Sequence, residues 1–285
     1  MIEQPVQIRS MTGGDIHAGM RLRQAAGWNQ TEQDWRRFLE LAPDGCFVAT
    51  LDGEVCGTAT ALRYGTRVGW LGMVLVDPAV RNRGIGSRLF RHAMEHLEHA
   101  GVSTQKLDAT PQGYPIYRGL GFLDEYVLER WERPSGPVNG SPLPRMTSED
   151  LDRVCGWDRE VFGADRSSLL KCLWREGRRY CFAARRGSEI RGYCLGRAGS
   201  RAHYAGPWVA EQGTGAAQEV FRSLLAEVSG EAVYVDIRRD CAEARQILAN
   251  AGFHVQRMLT RMYLGADRCA GQPELVYGIA GPELG

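Results

Sequence analysis

The segment VLVDPAVRNRGIGSRLF, Val74 to Phe90, has the make-up of an anion site. A strand of aliphatic residues is stopped by Pro78, and RNRGIG then runs directly into a helical pattern. The first turn of a helix carries backbone N–H groups with no intrahelical partner and the positive end of the helix dipole, so a phosphate is stabilised there. Gly84 and Gly86 let such a group approach the backbone, and Arg81, Arg83 and Arg88 add charge on the same turn. Two other glycine-rich phosphate loops do not fit. A dinucleotide fold needs GxGxxG after its first strand with an acid about 20 residues on; here only GIG stands, far into the chain. A P-loop needs a lysine behind its last glycine, and this segment has none. His92, His96 and His99 share one face of the following helix, but no carboxylate-rich frame accompanies them, so a solvated face is expected and no metal.

The elements that must hold this turn follow from periodicity. VQIRS, two helical patterns (Asp15 to Ala26, and Thr31 to Leu41 with Thr31 as N-cap) and CFVATL come first. Asp52 and Gly53 make a hairpin turn into VCGTATALRY, and a short turn leads to the strand Val68 to Val76. A long amphipathic helix to about Ala100, the strand QKLDA, a short helix around Tyr117 and the strand FLDEYVLERW complete an order β-α-α-β-β-β-α-β-α-β. Pro134 to Pro144, PSGPVNGSPLP, then reads as a linker.

Beyond the linker the order repeats. Helical patterns at Ser148 to Val161 and Ser167 to Glu176 precede YCFAAR, IRGYCLGRA and HYAGPWVA; a helix from Ala216 to Val228, AVYVDI, a helix from Cys241 to Ala251 and FHVQRMLTRMYLG follow. LGF at Leu120 to Phe122 aligns with AGF at Ala251 to Phe253. The expectation is a duplication, with units at 1–133 and 145–285 and a linker at 134–144.

Arg81, Asn82, Arg83, Gly84, Ile85, Gly86 resembles the pyrophosphate loop of the GNAT superfamily of acyl-CoA-dependent N-acyltransferases, whose pattern is R/Q-x-x-G-x-G/A after the fourth strand. The family's V-x-P lead-in stands as Val76, Asp77, Pro78, and its tyrosine, five residues before the Phe of a Gly-Phe pair, as Tyr117 in YRGLGF. The resemblance implies an α/β (α+β) fold: two tandem GNAT-like domains, each a mixed, mostly antiparallel sheet flanked by helices with a splay between strands 4 and 5. It implies acetyl-CoA as acyl donor, cradled by Arg81 to Ser87, with the pantetheine arm on the free backbone of Val74, Leu75 and Val76. A backbone N–H near Val74 would polarise the thioester carbonyl. Where the family often has an Asn seven residues before the tyrosine this chain has Thr110, whose hydroxyl can still bond the cofactor.

An attacking amine must be neutral, although an alkyl ammonium has a pKa of about 10.4. Asp108, near the end of the fifth strand, is the candidate base, directly or through water; capping a turn or binding the ammonium are its other readings. By resemblance, Tyr117 protonates the departing thiolate. The family's acceptor pocket is lined by the first two helices and their connection, which makes Trp28 and Asn29 substrate candidates, with Tyr64 a third. In the second unit the cradle reads GPWVAEQGTGAAQEV: both arginines and the proline lead-in are gone, and Leu248 stands where the tyrosine would be. The whole chain is similar to bacterial tandem acetyltransferases with FGADR and GPWVA-like segments, here Phe162 to Arg166 and Gly206 to Ala210. Two roles are open for the second unit: closing over the acceptor pocket, with Asp165, Arg166 or Tyr204 touching the acceptor, or covering the first unit's exposed sheet edge.

Composition sets the remaining bounds. With 35 basic and 34 acidic residues the net charge is +1, which argues against a nucleic-acid partner held by bulk charge. No apolar run is long enough to span a bilayer and the first residues are acidic and polar, so a cytoplasmic protein without a membrane partner is expected. Eight cysteines in apolar segments, with no CxxC pair, fit buried thiols. The reading is an N-acetyltransferase for a small-molecule amine, as monomer or homodimer. A protein lysine or N-terminal acetyltransferase and a non-catalytic CoA sensor are the alternatives.

Overall fold

Each half begins with the same device. Met11 N–H donates to the Cys46 carbonyl (2.8 Å) and Met146 N–H to that of Cys181 (2.9 Å), and behind each methionine comes a Thr-x-x-Asp box. Asp15 Oδ2 accepts from the Thr12 N–H (2.8 Å) and hydroxyl (2.9 Å); Asp150 Oδ2 does the same for Thr147 at 2.8 and 2.9 Å. Such reciprocal bonds satisfy donors that a helix start leaves open. Each aspartate also meets an arginine, Arg9 at 2.7 Å and Arg185. Arg9 holds the Asp15 carboxyl down at about 2. Its folded value lies below the unfolded one of about 3.9, so the stabilisation is complete above about pH 5 and is lost as pH falls through about 2. Asp15→Asn should therefore lower stability by about 1 kcal/mol at pH 7, after allowing for screening of the half-exposed Arg9, and by only a small fraction of that at pH 2 in urea melts.

The computed structural model describes residues 6–138, 142–266 and 271–285; residues 139–141 of the expected linker lie outside it. In chain order the elements are β1 (Gln7–Ser10), α1 (Ile16–Ala25), α2 (Glu32–Leu41), β2 (Cys46–Leu51), β3 (Glu54–Tyr64), β4 (Val68–Val76), α3 (Ile85–His99), β5 (Thr104–Ala109), α4 (Tyr114–Gly119) and β6 (Leu123–Arg133), then α5 (Ser148–Phe162), α6 (Ser167–Glu176), β7 (Phe182–Arg186), β8 (Glu189–Arg197), β9 (His203–Ala210), α7 (Ala216–Glu227), β10 (Val233–Arg238), α8 (Ala242–Asn250), β11 (His254–Gly265) and β12 (Val276–Gly278). The expected order appears in both halves, and β12 is an addition to it.

By compactness the described chain divides after Leu107, with Leu264–Ala266 joining the first unit. In that unit the strands run β1-β2-β3-β4-β5, antiparallel except for β4 beside β5. Helix α3 lies against β3, where Gly57 makes room: a Cβ there would be 2.8 Å from Leu89 Cδ1 and 3.6 Å from Ile85 Cγ2. Ile85, Leu89, Phe90, Ala93 and Leu97 form the buried face of α3. The helix that carries the cradle is thereby fixed to the sheet.

In the second unit the order is β11-β6-β10-β9-β8-β7, with β12 on β9. Strand β6, the last of the first sequence half, thus sits between two strands of the second half, antiparallel to both. This is why the compact division falls ahead of residues 134–144. The core of this unit is built from Trp208, Phe221, Tyr277, Phe253 and the aliphatic residues of α7 and β10.

Candidate active site

The cradle is part of the first unit. Asp77 caps the turn that Pro78 opens, its Oδ1 accepting from Ala79 N–H (3.0 Å), and Arg21 pairs with the same carboxylate. Arg81 folds back, Nε donating to the Val76 carbonyl (3.1 Å), which ties the loop to the end of β4. Asn82 (φ +63°) and Gly84 (φ +72°) are both left-handed, and Gly84 is the N-cap of α3. Glycine adopts this conformation without strain and asparagine more readily than most residues. No heavy atom beyond its chain neighbours comes within 4 Å of where a Gly84 Cβ would be, so that face of the loop is open. At Gly86 a Cβ would be 3.3 Å from Val76 Cγ2. Ile85 is buried, whereas Arg81, Asn82 and Arg83 are exposed and Ser87 partly so.

Strand β4 supplies a feature that periodicity did not reveal. It pairs with β5 only from Val68 to Trp70, so the two strands part beyond that point. On its other edge Thr60 faces Gly72 and Thr58 faces Leu75, which leaves Met73 and Val74 together opposite Ala59. This bulge puts Met73 at φ +50°, an uncommon conformation for a bulky residue. Thr58 holds it there, its hydroxyl donating to the Met73 carbonyl at 2.7 Å, with both residues buried. Bulges re-aim neighbouring backbone groups, and here the neighbours are Val74, Leu75 and Val76.

Of the acceptor candidates, Trp28 is half-buried, and its carbonyl accepts from Arg23 Nη1 at 3.2 Å. Asn29 and Tyr64 are buried. His92 and His96 pack edge-on against Phe47, at 4.6 and 5.4 Å between ring centres, and burial lowers the His96 pKa.

The remaining candidates belong to the second unit. Thr110 Oγ1 accepts from Gly113 N–H (3.2 Å), and this turn starts α4. Tyr117 is half-buried one turn later, with Phe122 at 6.3 Å and Gly113 beneath its ring: a Cβ on Gly113 would be 2.8 Å from Tyr117 Cε2. Burial pushes the phenol up to about 12, so it keeps its proton at neutral pH.

Asp108 is fully buried in a bidentate pair with Arg261 of β11, 2.8 Å on both arms, and Arg261 also donates to the Tyr126 hydroxyl (2.7 Å). Burial raises the carboxyl above its ordinary value against the pull of that guanidinium. The second half holds the mirror arrangement. Asp236 on β10 is gripped by Arg130 of β6 at 3.0 and 2.5 Å and accepts from the Tyr204 hydroxyl at 2.9 Å. Arg130 follows Phe122 by eight residues, as Arg261 follows Phe253. Each aspartate is thus held by the last strand of the other sequence half. Arg261 had no local signal; only the matched spacing from the two Gly-Phe pairs could have exposed it. Arg166 and Tyr204 are buried and spend their polar atoms internally, Arg166 on Asp158 (2.9 Å) and on the Gly285 carbonyl (2.7 Å). Asp165 pairs with Arg159 at 2.9 Å.

Among the described residues no group of three or more His, Cys, Asp or Glu could hold a metal ion, and no helix is long and apolar enough to cross a membrane. The seven described cysteines are free, six of them buried; Cys269 lies outside the described residues.

The stretch of β4 that has parted from β5 leads through a bulge into an arginine- and glycine-rich helix start, and the family matches identify the chain that carries it as an acyl-CoA-dependent acetyltransferase. Residues 19–122 match the acetyltransferase (GNAT) family, and residues 154–278 match the acetyltransferase (GNAT) domain. The chain is 25% identical over 264 residues to a holothin acyltransferase of Pseudoalteromonas sp. (strain SANK 73390), covering 92% of this chain and 88% of that one. It is 32% identical over 110 residues to glucosamine 6-phosphate N-acetyltransferase 1 of Oryza sativa subsp. japonica, covering 34% of this chain and 67% of the relative. A crystal structure of a Pyrococcus horikoshii protein assigned to the acetyltransferases superposes with a TM-score of 0.82 at 25% identity, covering 100% and 98% of the two chains. The chain belongs to the GNAT acetyltransferases and is of the tandem kind, with two GNAT domains.

Proposed function

We propose that this chain transfers the acetyl group of acetyl-CoA to a primary amine of a small molecule by direct attack in a ternary complex, with the one cofactor site in the first sequence half, residues 1–133, and 145–285 as its degenerate partner. The observation that carries this reading is the parting of β4 from β5 beyond Trp70, which leaves the β5-facing edge of Val74 to Val76 open directly ahead of the cradle, with the bulge at Met73 re-aiming that backbone. Acetyl-CoA supplies an activated thioester. Arg81 to Ser87 hold its phosphates, with Arg81 and Arg83 as counter-charges, and Thr110 keeps its hydroxyl proton to donate. The Val74 N–H polarises the thioester carbonyl, which needs no reorganisation as charge develops. Tyr117 gives its proton to the leaving sulfur. Trp28, Asn29 and Tyr64 border the acceptor. Two relatives are named for small acceptors, holothin and glucosamine 6-phosphate.

Both oxygens of Asp108 accept from Arg261, so a general-base role would fall to a lone pair that the guanidinium leaves over. Because Asp236 keeps the same grip in the half that has lost the cradle, we assign the pair to holding strands, and the amine sheds its proton to water. Breaking one side of a buried ion pair costs about 3–5 kcal/mol. Asp108→Asn should therefore lower the urea midpoint markedly while the acidic limb of the kcat/KM profile stays in place. Disappearance of that limb would return the base role to Asp108.

Thiol release from acetyl-CoA over a panel of amino sugars, amino acids, polyamines and a lysine peptide tests the function. Turnover on a small amine is expected. Turnover on the peptide alone would replace the acceptor class, and binding without turnover would make the protein a sensor.

A further inference from the structure

In the second half the place corresponding to the open β4 edge is filled. Strands β9 and β10 pair only at His203 with Val233 and Tyr204 with Tyr234, and then part as β4 and β5 do. Into that gap runs β12. It pairs antiparallel with β9, Val276 opposite Val209 and Gly278 opposite Trp208, and the next residue crosses to the other wall, Ile279 N–H donating to the Asp236 carbonyl of β10 at 3.0 Å. Tyr277, Ile279, Ala280 and Leu284 are buried to within 1%. Arg197 fixes the remainder, donating to the Ala280 carbonyl and pairing with Glu283, both at 2.6 Å.

The walls have changed to suit. Cys194 faces Trp208 and Gly196 faces Ala205, so Gly206 and Pro207 occupy the bulge that Met73 and Val74 occupy in the first half. Pro207 has no N–H, so the donor proposed at Val74 has no counterpart. Gly206 is obligatory for the filling: a Cβ there would lie 1.9 Å from the Ile279 carbonyl oxygen. The helix-start loop is shorter too. Gly213 and Gly215 are left-handed like Asn82 and Gly84, but only six residue steps separate Val209, the counterpart of Val76, from Gly215 where eight separate Val76 from Gly84.

We infer that the gap of the second half is a binding slot for an extended peptide strand, occupied by the chain's own residues 276–279 in the position that the first-half reading gives to pantetheine, with a turn over 281–285 behind them. The comparison with pantetheine rests on that reading; the strand pairing does not. The slot is thus a converted cofactor site, and loss of acyl-CoA binding there is built into the backbone as well as the missing arginines.

Amide hydrogen exchange on the full chain, with and without coenzyme A, alongside calorimetric titration, tests this. Ile279 and Ala280 should be protected, saturating coenzyme A should leave that protection unchanged, and one equivalent should bind. Solvent-like exchange at Ile279, its deprotection by coenzyme A, or a second equivalent would overturn the slot. No binding at all with Ile279 still protected would remove the first-half site and support the slot. Gly206→Val should deprotect 276–285; since that variant could fail to fold, the wild-type exchange decides alone.

Discussion

Replacing Gly84 with glutamate should weaken acetyl-CoA binding by more than 100-fold. Two costs combine. A side chain at φ +72° pays about 1 kcal/mol for a left-handed backbone, and the carboxylate then stands where the diphosphate must settle. Two unit charges 4 Å apart near a protein surface repel by about 4 kcal/mol, and 1.4 kcal/mol is tenfold in affinity. No neighbouring atom lies within 4 Å of the new Cβ, so a steric clash with the protein is not part of the effect. Gly84→Ala separates the terms: it carries the backbone cost alone and should lose less than tenfold. Isothermal titration measures both, and a glutamate variant that binds within tenfold of the wild type would mean that phosphate is held elsewhere.

Tyr117→Phe should cut kcat by about 10²–10³ and leave the acetyl-CoA dissociation constant within twofold, in keeping with the usual gain from a positioned proton donor. The ring is located by packing on Gly113 and Phe122, and a phenylalanine keeps both contacts. Only the hydroxyl is lost, so a fall in kcat reports proton donation rather than shape. With the phenol pushed up to about 12, the wild-type rate should show no alkaline limb from this group below pH 10. Pre-steady-state thiol release distinguishes chemistry from product release; a variant within threefold of wild type would leave Tyr117 a packing residue.

Elements and cradle were readable because their signals are local. Thr31 before its helix, Asp52-Gly53 between strands and Gly84 before α3 act on the neighbouring backbone, and the duplicate order doubled each reading. The bulge was hidden because Met73 is an ordinary strand residue held left-handed by Thr58, fifteen positions away. Arg261 lies 153 residues from Asp108, and no periodicity joins them. The segment 276–285 was also out of reach, since three paired residues carry no strand pattern and their partner is a gap defined by β9 and β10.

Strand β6 sets a rule for cutting the gene. Leu128 to Arg133 are bonded along one edge to β10, and the stretch from Leu123 to Glu132 along the other to β11, both encoded downstream of residue 230. An expression fragment that stops at the obvious proline-rich break would carry β6 with both edges bare, a template for intermolecular pairing. Such a fragment should be lost to inclusion bodies, and shuffling of halves between paralogues should succeed only when β6 travels with β10 and β11.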